Sequence, residues 1–167
     1  MTTVYLGLGS NLGDRRRNLE AALDALRTHP QIAVTAVSSF LETDPVGGPA
    51  GQGRFLNAAA KIETDLAPEA LLDELKRVER ALGRKPGPRR GPREVDLDIL
   101  LCDDTILETG TLVIPHPRMR ERRFVLEPLA EIAPAARDPV TGLSVRDLLE
   151  KVSGTFFSLG STGEKST

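Results

Sequence analysis

The order in which two hydrophobic periodicities alternate along the chain constrains its fold more than any other feature. Every second residue is apolar in half-buried strands, whereas apolar residues spaced three and four apart are typical of amphipathic helices. The predicted order is strand, helix, strand, strand, helix, strand. The strands cover 3–8, 32–43, 55–64 and 94–102, and the helices lie between Asp14 and His29 and between Pro68 and Gly83.

Weaker elements follow this series of six. We predict a strand pair within 106–114, a rigid turn at 115–117, a helix over 124–132 and a last helix that Ser144 and Asp147 cap and that runs through Val152. The six-element order is that of a ferredoxin-like core, an antiparallel sheet with helices on one face. The sequence therefore predicts an α+β fold in a single domain over 1–152, with 153–167 as a flexible tail.

Composition excludes several classes of protein. The chain has 167 residues, a net charge of -2 and a hydrophobic fraction of 40%, which is typical of a folded domain without the basic excess of a nucleic-acid binder. No apolar run approaches the roughly 20 residues needed to cross a bilayer, so we expect a cytoplasmic protein without nucleic-acid or membrane partners. Cys102 is the only cysteine and cannot form an internal disulfide. A monomer is expected, with a dimer left open.

Charge reverses sharply at one place in the chain. The ten residues 84–93 contain five cations and no acid, and the strand that follows begins with the acidic run 94–98. Prolines and glycines in 84–93 and in 44–53 exclude regular structure, so both ranges are predicted to be long mobile loops. Cations beside carboxylates are what transfer from a nucleoside triphosphate requires.

Asp96 and Asp98 are the candidate metal ligands. At positions i and i+2 of a strand their side chains share one face, about 7 Å apart, and oxygen ligands favour magnesium shared with phosphates. The alternative is that they form the solvated face of an amphipathic strand. The five cations next to them favour the metal site.

Two further features have both a functional and an ordinary interpretation. The string Gly7 to Gly13 is one residue too long for a dinucleotide-binding fingerprint, so we interpret it as a tight turn that lines the site. His116 lies between two prolines and close to four arginines, where it could donate to a phosphate oxygen; otherwise it is a surface turn residue. His29 is interpreted as a helix-end residue.

Several motifs together resemble one family. The string from Arg89 to Leu100 is similar to the signature of the 6-hydroxymethyl-7,8-dihydropterin pyrophosphokinases, enzymes of the folate pathway. Further matching motifs occur in the same order over Thr3 to Leu149. These are 8–13, 38–43, 55–59, 114–119, 124–126 and 131–134.

The resemblance implies an activity and a set of site residues. The activity is transfer of diphosphate from ATP to a reduced pterin alcohol, with two Mg²⁺ ions and release of AMP. Asp96 and Asp98 would bind the metals and, with Arg84 and Arg93, form the catalytic group. The pterin would contact Thr43, Val46, Phe55, Asn57 and Phe124, with its ring between the two phenylalanines. The ATP side would comprise Glu79, Arg84, Arg93, Ile99, His116 and Arg122.

Three positions depart from relatives, and two rival functions remain. Phe55 replaces Tyr in some relatives, and Arg90 and Pro117 stand where one relative has Trp and Tyr, which leaves the effect on ATP binding open. One rival is a nucleotidyl- or phosphotransferase that acts on another small alcohol with the same metals; kinase-like transfer would release ADP, whereas diphosphate transfer releases AMP. An RNA-recognition module shares the strand order but needs aromatic residues clustered on the sheet, and here Asp96 and Asp98 occupy the strand instead.

Overall fold

The computed structural model describes residues 1–44, 54–83 and 94–160, with side chains to residue 153. Its main sheet has five antiparallel strands: β1 Thr2–Ser10, β2 Ile32–Val37, β3 Leu41–Thr43, β4 Phe55–Thr64 and β5 Asp96–Cys102. Their order is β2-β4-β1-β5, and β3 also pairs with β4. Helix α1 (Arg15–Arg27) connects β1 to β2, and helix α2 (Pro68–Ala81) connects β4 to β5. This confirms the ferredoxin-like core.

The helices begin and end where their local chemistry predicts. Asp14 accepts a hydrogen bond from the Arg17 amide at 3.2 Å and so caps α1. Pro68 is the first residue of α2, and Gly83 follows its end with a φ of 103°, the left-handed conformation that glycine adopts without strain. Ser144 and Asp147 exchange hydrogen bonds at 3.1 and 3.3 Å at the start of the last helix, α4 (Val145–Gly160), which confirms the capping box.

Helices cover both faces of the sheet, and the two helices of the six-element core, α1 and α2, lie on one face as the sequence predicts. Leu19 of α1 and Leu75 of α2 pack with Leu6 in a first core cluster. On the opposite face α3 (Arg123–Ile132) and α4 (Val145–Gly160) form a second cluster, which includes Ala59, Leu100 and Leu129. The second layer of helices covers apolar residues that β4 and β5 carry on their other face.

A β-bulge in β5 overturns the predicted orientation of Leu101. The pairing with β1 matches Tyr5 to Leu101 and Leu6 to Ile99, so Leu100 is an extra residue. Leu97 and Ile99 belong to the first cluster, but Leu101 joins Leu100 in the second. Strict alternation predicts Leu101 on the side of Leu97 and fails because one inserted residue reverses the alternation.

Several boundaries also differ from the predicted ones. The single strand predicted over 32–43 is interrupted after Val37, where the Ser38 hydroxyl accepts the Ala59 amide at 2.8 Å. The strand pair in 106–114 is reduced to β6 Leu107–Glu108 and β7 Val113–Ile114. Helix α4 continues to Gly160, beyond the predicted end at Val152. Within the described ranges, no helix has the length and apolar character needed to cross a membrane.

Candidate functional site

A cavity opens on the face of the sheet that also carries the second core cluster. It lies where β1, β4 and β5 meet the segment between β7 and α3. Its lining residues are Gly7, Leu8, Gly9, Thr43, Asp44, Phe55, Asn57, Ala58, Asp96, Asp98, Leu100, His116, Arg122, Phe124 and Val125. Side chains from five separate stretches of sequence therefore share one space.

Two glycines of the central strand form the floor of the cavity. Gly7 pairs with Ala59 on one side and Asp98 on the other, and Gly9 pairs with Asn57 and Asp96. A Cβ at Gly9 would lie 3.0 Å from the Asn57 Oδ1 atom and 3.7 Å from the Phe55 ring. The missing side chains leave room for those of β4 and β5. Both glycines belong to β1, which runs to Ser10, so interpreting the whole string as a turn was wrong. The left-handed turn residue is Gly13, with a φ of 73°.

Asp96 and Asp98 both line the cavity, while Leu97 and Ile99 point into the first core cluster. The alternation of β5 therefore separates two carboxylates from the apolar core. In the described part of the chain, no group of three or more His, Cys, Asp or Glu side chains is arranged to hold a metal. Two carboxylates facing an open space suit Mg²⁺, which keeps several waters and takes further oxygens from bound phosphates.

The opposite wall of the cavity consists of two aromatic side chains and one side-chain amide. Phe55 and Asn57 lie two residues apart on β4, and Phe124 lies near the start of α3. The Asn57 amide nitrogen donates to the Thr43 hydroxyl at 2.5 Å, and Asn57 is buried. The hydrogen bond fixes the orientation of the amide. Two aromatic rings and an oriented amide that line one cavity can bind a flat heterocycle by stacking and by edge hydrogen bonds.

His116 is held in a defined tautomer. Its backbone amide donates to the Leu100 carbonyl at 3.0 Å, and its Nδ1 atom accepts from the Arg118 amide at 3.2 Å. In the neutral imidazole the proton is therefore on Nε2. Burial lowers the pKa of His116, and the positive charges of Arg122 and Arg118 add to this, while the Asp96 carboxylate acts in the opposite direction. The ring is thus a neutral hydrogen-bond donor at pH 7.

A network of ion pairs lies at the edge of the cavity, and sequence reasoning missed it. Arg15 at the start of α1 contacts the Glu42 carboxylate at 2.5 Å and the Arg54 carbonyl at 2.9 Å. Arg54 in turn contacts Glu42 at 2.8 Å and Asp44 at 3.1 Å. The hydrogen bond and charge of Arg15 lower the pKa of Glu42. The network fixes Thr43 and Phe55, which flank its members in sequence. No local signal indicates it, because its members lie in α1, in β3, just after β3 and just before β4.

Not every predicted site residue lines the cavity. Glu79 is buried on α2, and its carboxylate accepts the Leu97 amide at 2.7 Å. Ile99 packs in the first core cluster. Arg84, Arg93 and Val46 lie outside the described residues. The predicted residues that do share the cavity are Thr43, Phe55, Asn57, Asp96, Asp98, His116, Arg122 and Phe124.

Comparison with known proteins identifies similar chains. The family model described as 7,8-dihydro-6-hydroxymethylpterin-pyrophosphokinase matches residues 5–134. The 2-amino-4-hydroxy-6-hydroxymethyldihydropteridine pyrophosphokinase of Bacillus subtilis is 51% identical over 77% of this chain and 77% of its own length. The protein of the same name from Methylorubrum extorquens is 45% identical over 91% of this chain and 94% of its own.

Solved structures share the fold at low sequence identity. An HPPK-DHPS protein crystallised in complex with substrates has a TM-score of 0.71 and 14% identity, and the match covers 93% of this chain. A Plasmodium falciparum HPPK-DHPS variant with pterin and p-hydrobenzoate has a TM-score of 0.70 and 17% identity. This chain spans 44% and 45% of those two chains. At these identities the likeness shows the fold alone.

We predict that Gly9→Ala destabilises the protein by about 1–3 kcal/mol, because the added Cβ would press on an Asn57 amide that is already fixed by Thr43. Urea unfolding measures this change, and the Asn57 side-chain amide resonances should move in NMR spectra. Gly7→Ala is the matched control, since its Cβ would meet only the Leu100 side chain at 3.4 Å or more. Equal effects of the two substitutions would contradict the explanation.

Stability should depend on pH through His116. Its folded pKa lies below the unfolded value of about 6.5, so the unfolded chain binds the extra proton first. The contribution of the neutral ring to the free energy of unfolding is complete above a pH of about 6.5. It is lost as the pH falls towards the folded pKa. The free energy of unfolding of the parent chain should therefore decrease more steeply on acidification than that of His116→Gln. Parallel pH profiles would contradict this.

Proposed function

Because the chain belongs to the 7,8-dihydro-6-hydroxymethylpterin-pyrophosphokinase family, we propose that its cavity brings a pterin alcohol and the triphosphate of ATP together, with Asp96 and Asp98 holding two Mg²⁺ ions. As a member of that family, the chain is an ATP-dependent diphosphotransferase that acts on hydroxymethyldihydropterin in folate synthesis. The residues that carry out this activity are the subject of the proposal. The observation that carries it is that two carboxylates, two aromatic rings and an oriented amide line one cavity.

The pterin is assigned to the wall that β3, β4 and α3 form. Phe55 and Phe124 sandwich the ring, since a flat heterocycle gains most from stacking on aromatic faces. Asn57, whose Nδ2 is directed to the Thr43 hydroxyl, presents its amide to the edge of the ring. Thr43 and Val46 contribute backbone groups, although Val46 lies outside the described residues. The hydroxymethyl group then points towards β5.

ATP is assigned to the side of His116 and Arg122. The Nε2–H of His116 donates to a phosphate oxygen, and the Arg122 guanidinium, 5.7 Å from the centre of the Phe124 ring, neutralises phosphate charge. Arg84 and Arg93 act with them as cations on the transferred and leaving groups. Glu79 and Ile99 act on the nucleotide site only indirectly, by holding β5 in place: the Glu79 carboxylate orients the backbone at Leu97, and Ile99 anchors the strand in the first core cluster.

The metal assignment fits the chemistry of the side chains present. Asp96 and Asp98 supply oxygen atoms only, which Mg²⁺ prefers, and they face the same cavity that Gly7 and Gly9 line. When bound, the ions neutralise charge on the phosphate oxygens in the transition state. Among the described residues, two carboxylates and no third side chain are available to an ion here. The remaining coordination positions of each ion would be taken by water and phosphate oxygens.

The reaction joins the hydroxymethyl oxygen to the β-phosphorus of ATP and breaks the bond from that phosphorus to the oxygen it shares with the α-phosphate. AMP leaves with that oxygen. Such transfers depend on alignment and charge stabilisation rather than on covalent chemistry by the protein. Phe55, Phe124 and Asn57 align the acceptor, and His116 and the arginines stabilise the charge.

Other properties of the chain stay predictions. We expect a monomer in the cytoplasm that binds neither nucleic acid nor membrane, with residues 1–152 as one domain. Oligomeric state is measured by sedimentation at several protein concentrations: a monomer gives the mass of one chain throughout, whereas a dimer gives up to twice that mass.

Product analysis tests the proposed function. With ATP, Mg²⁺ and the reduced pterin alcohol, the protein should form AMP, and Asp96→Asn and Asp98→Asn should each lower the rate by at least about 100-fold. Asp104→Asn is the matched control: it removes the same charge from an exposed carboxylate just beyond β5 and should leave the rate unchanged. Circular dichroism checks that all three variants are folded.

Two outcomes would contradict the proposal. Release of ADP would indicate transfer of a single phosphoryl group, the rival function. Undiminished rates in both Asp96→Asn and Asp98→Asn would show that the two carboxylates take no part in the reaction, whichever product forms.

A further inference from the structure

The stretch from His116 to Arg122 contributes two side chains to the cavity but has no strand partner of its own. His116 is attached to β5 through its amide, and a short 3-10 helix, Met119–Glu121, leads to Arg122. Met119 is fully buried in the second core cluster. Hydrogen bonds of 3.2 Å run from the Met119 amide to the His116 carbonyl and from the Arg122 amide to the Met119 carbonyl. The backbone positions of His116 and Arg122 are therefore coupled through this 3-10 helix.

Arg120, in the middle of the 3-10 helix, makes a paired contact with Asp138. Its Nε and Nη2 atoms donate to the two carboxylate oxygens of Asp138, the second at 3.1 Å. Asp138 is fully buried and also accepts from the Val140 amide at 3.0 Å and the Thr141 hydroxyl at 2.9 Å. Burial alone would raise the pKa of Asp138, but the hydrogen bonds from Arg120, Val140 and Thr141 and the charge of Arg120 together lower it. A carboxylate with four donors is a fixed anchor, and a planar guanidinium bound through two nitrogens is oriented by it.

The anchor lies outside the cavity. Asp138 belongs to the turn between α3 and α4, where Gly142 has a φ of 77° and its amide donates to the Asp138 carbonyl at 2.8 Å. Neither Arg120 nor Asp138 lines the cavity, whereas His116 and Arg122, on either side of the 3-10 helix, both do. Any shift of Arg120 relative to Asp138 is passed on to both side chains through the backbone hydrogen bonds.

We propose that Arg120 is a positioning residue for the nucleotide: by binding Asp138 it fixes the 3-10 helix and thereby the places of His116 and Arg122. This inference rests on the proposed function, which assigns those two residues to ATP. The competing explanation is that the Arg120–Asp138 pair only stabilises the fold, as removal of one member of a buried pair commonly does. The two explanations differ in what happens at His116.

The test compares three variants of the full chain. Arg120→Gln removes the paired contact, and Asp138→Asn keeps one acceptor oxygen for Val140 but weakens the contact with Arg120, because an amide nitrogen replaces the other oxygen. Arg137→Gln is the control, because Arg137 donates to the Gly142 carbonyl of the same turn at 2.8 Å and makes no contact with the 3-10 helix among the interactions described. All three should lower the urea midpoint to some degree, so stability alone does not decide.

The deciding readout is the NMR spectrum of the histidine rings, recorded without substrate. The chain has two histidines, so His29 serves as an internal reference. Arg120→Gln and Asp138→Asn should shift the His116 ring resonances and leave those of His29 in place. In assays, KM for ATP should rise about tenfold and KM for the pterin less than threefold, because small displacements of charge-stabilising groups have large effects. Arg137→Gln should change neither.

Unchanged His116 resonances and an unchanged KM for ATP in folded Arg120→Gln would overturn the inference and leave a stabilising role. If Arg120→Gln does not fold, Arg120→Lys decides in its place: it retains the charge without the paired geometry and should give the same His116 shift. A separate variant tests whether His116 binds ATP at all. If the proposed function is wrong, His116→Ala leaves KM for ATP unchanged, although the Arg120 variants can still shift the His116 ring resonances.

Discussion

The site depends on the absence of side chains in the central strand. β1 pairs with β4 on one side and β5 on the other, so a side chain at Gly9 would project towards Asn57 and one at Gly7 towards Leu100, and both of these residues line the cavity. Two glycines remove that obstacle without interrupting the backbone hydrogen bonds of the sheet. Glycine in a strand weakens it and often marks a place where a ligand approaches closely, and here the long registers with both neighbours retain the strand.

The same strands provide residues to the stabilising core on one face and to the lining of the cavity on the other. On one face, Leu6, Leu97 and Ile99 pack beneath α1 and α2. On the other, the glycines and aspartates open a cavity at one end, and α3 and α4 close the rest over Leu100 and Leu101. The bulge at Leu100 separates these two parts of the second face, since it adds a second leucine to the apolar part just after the carboxylates end.

Periodicity and capping chemistry predicted much of the fold because they are local. Asp14, Pro68 and Ser144 mark helix starts that the structure has, and the alternation over β4 and β5 placed Asn57 and Asp98 on the faces where they lie. The bulge at Leu100 could not be predicted, because it is defined by register against β1. For the same reason, apolar spacing in α3 does not reveal which face of the sheet the helix covers.

Polar contacts between residues distant in sequence could not be predicted for a related reason. The pairing of Arg120 with Asp138 and of Arg15 with Glu42 joins residues 18 and 27 positions apart, and nothing in the residue types selects these partners among the other charges of the chain. The family resemblance named candidates for the site, but it did not indicate that Glu79 and Ile99 lie away from the cavity while Asp44 lies in it. Sequence motifs therefore identify candidate functional residues, whereas the packing of the fold decides which of them line the cavity.

The most direct test of this account is a crystal structure with Mg²⁺, a non-hydrolysable ATP analogue and the pterin alcohol. The account predicts cations in contact with the carboxylates of both Asp96 and Asp98, the triphosphate over Gly7 and Gly9, and the pterin ring between Phe55 and Phe124. Cations bound elsewhere, or a pterin outside the space between those two rings, would contradict it.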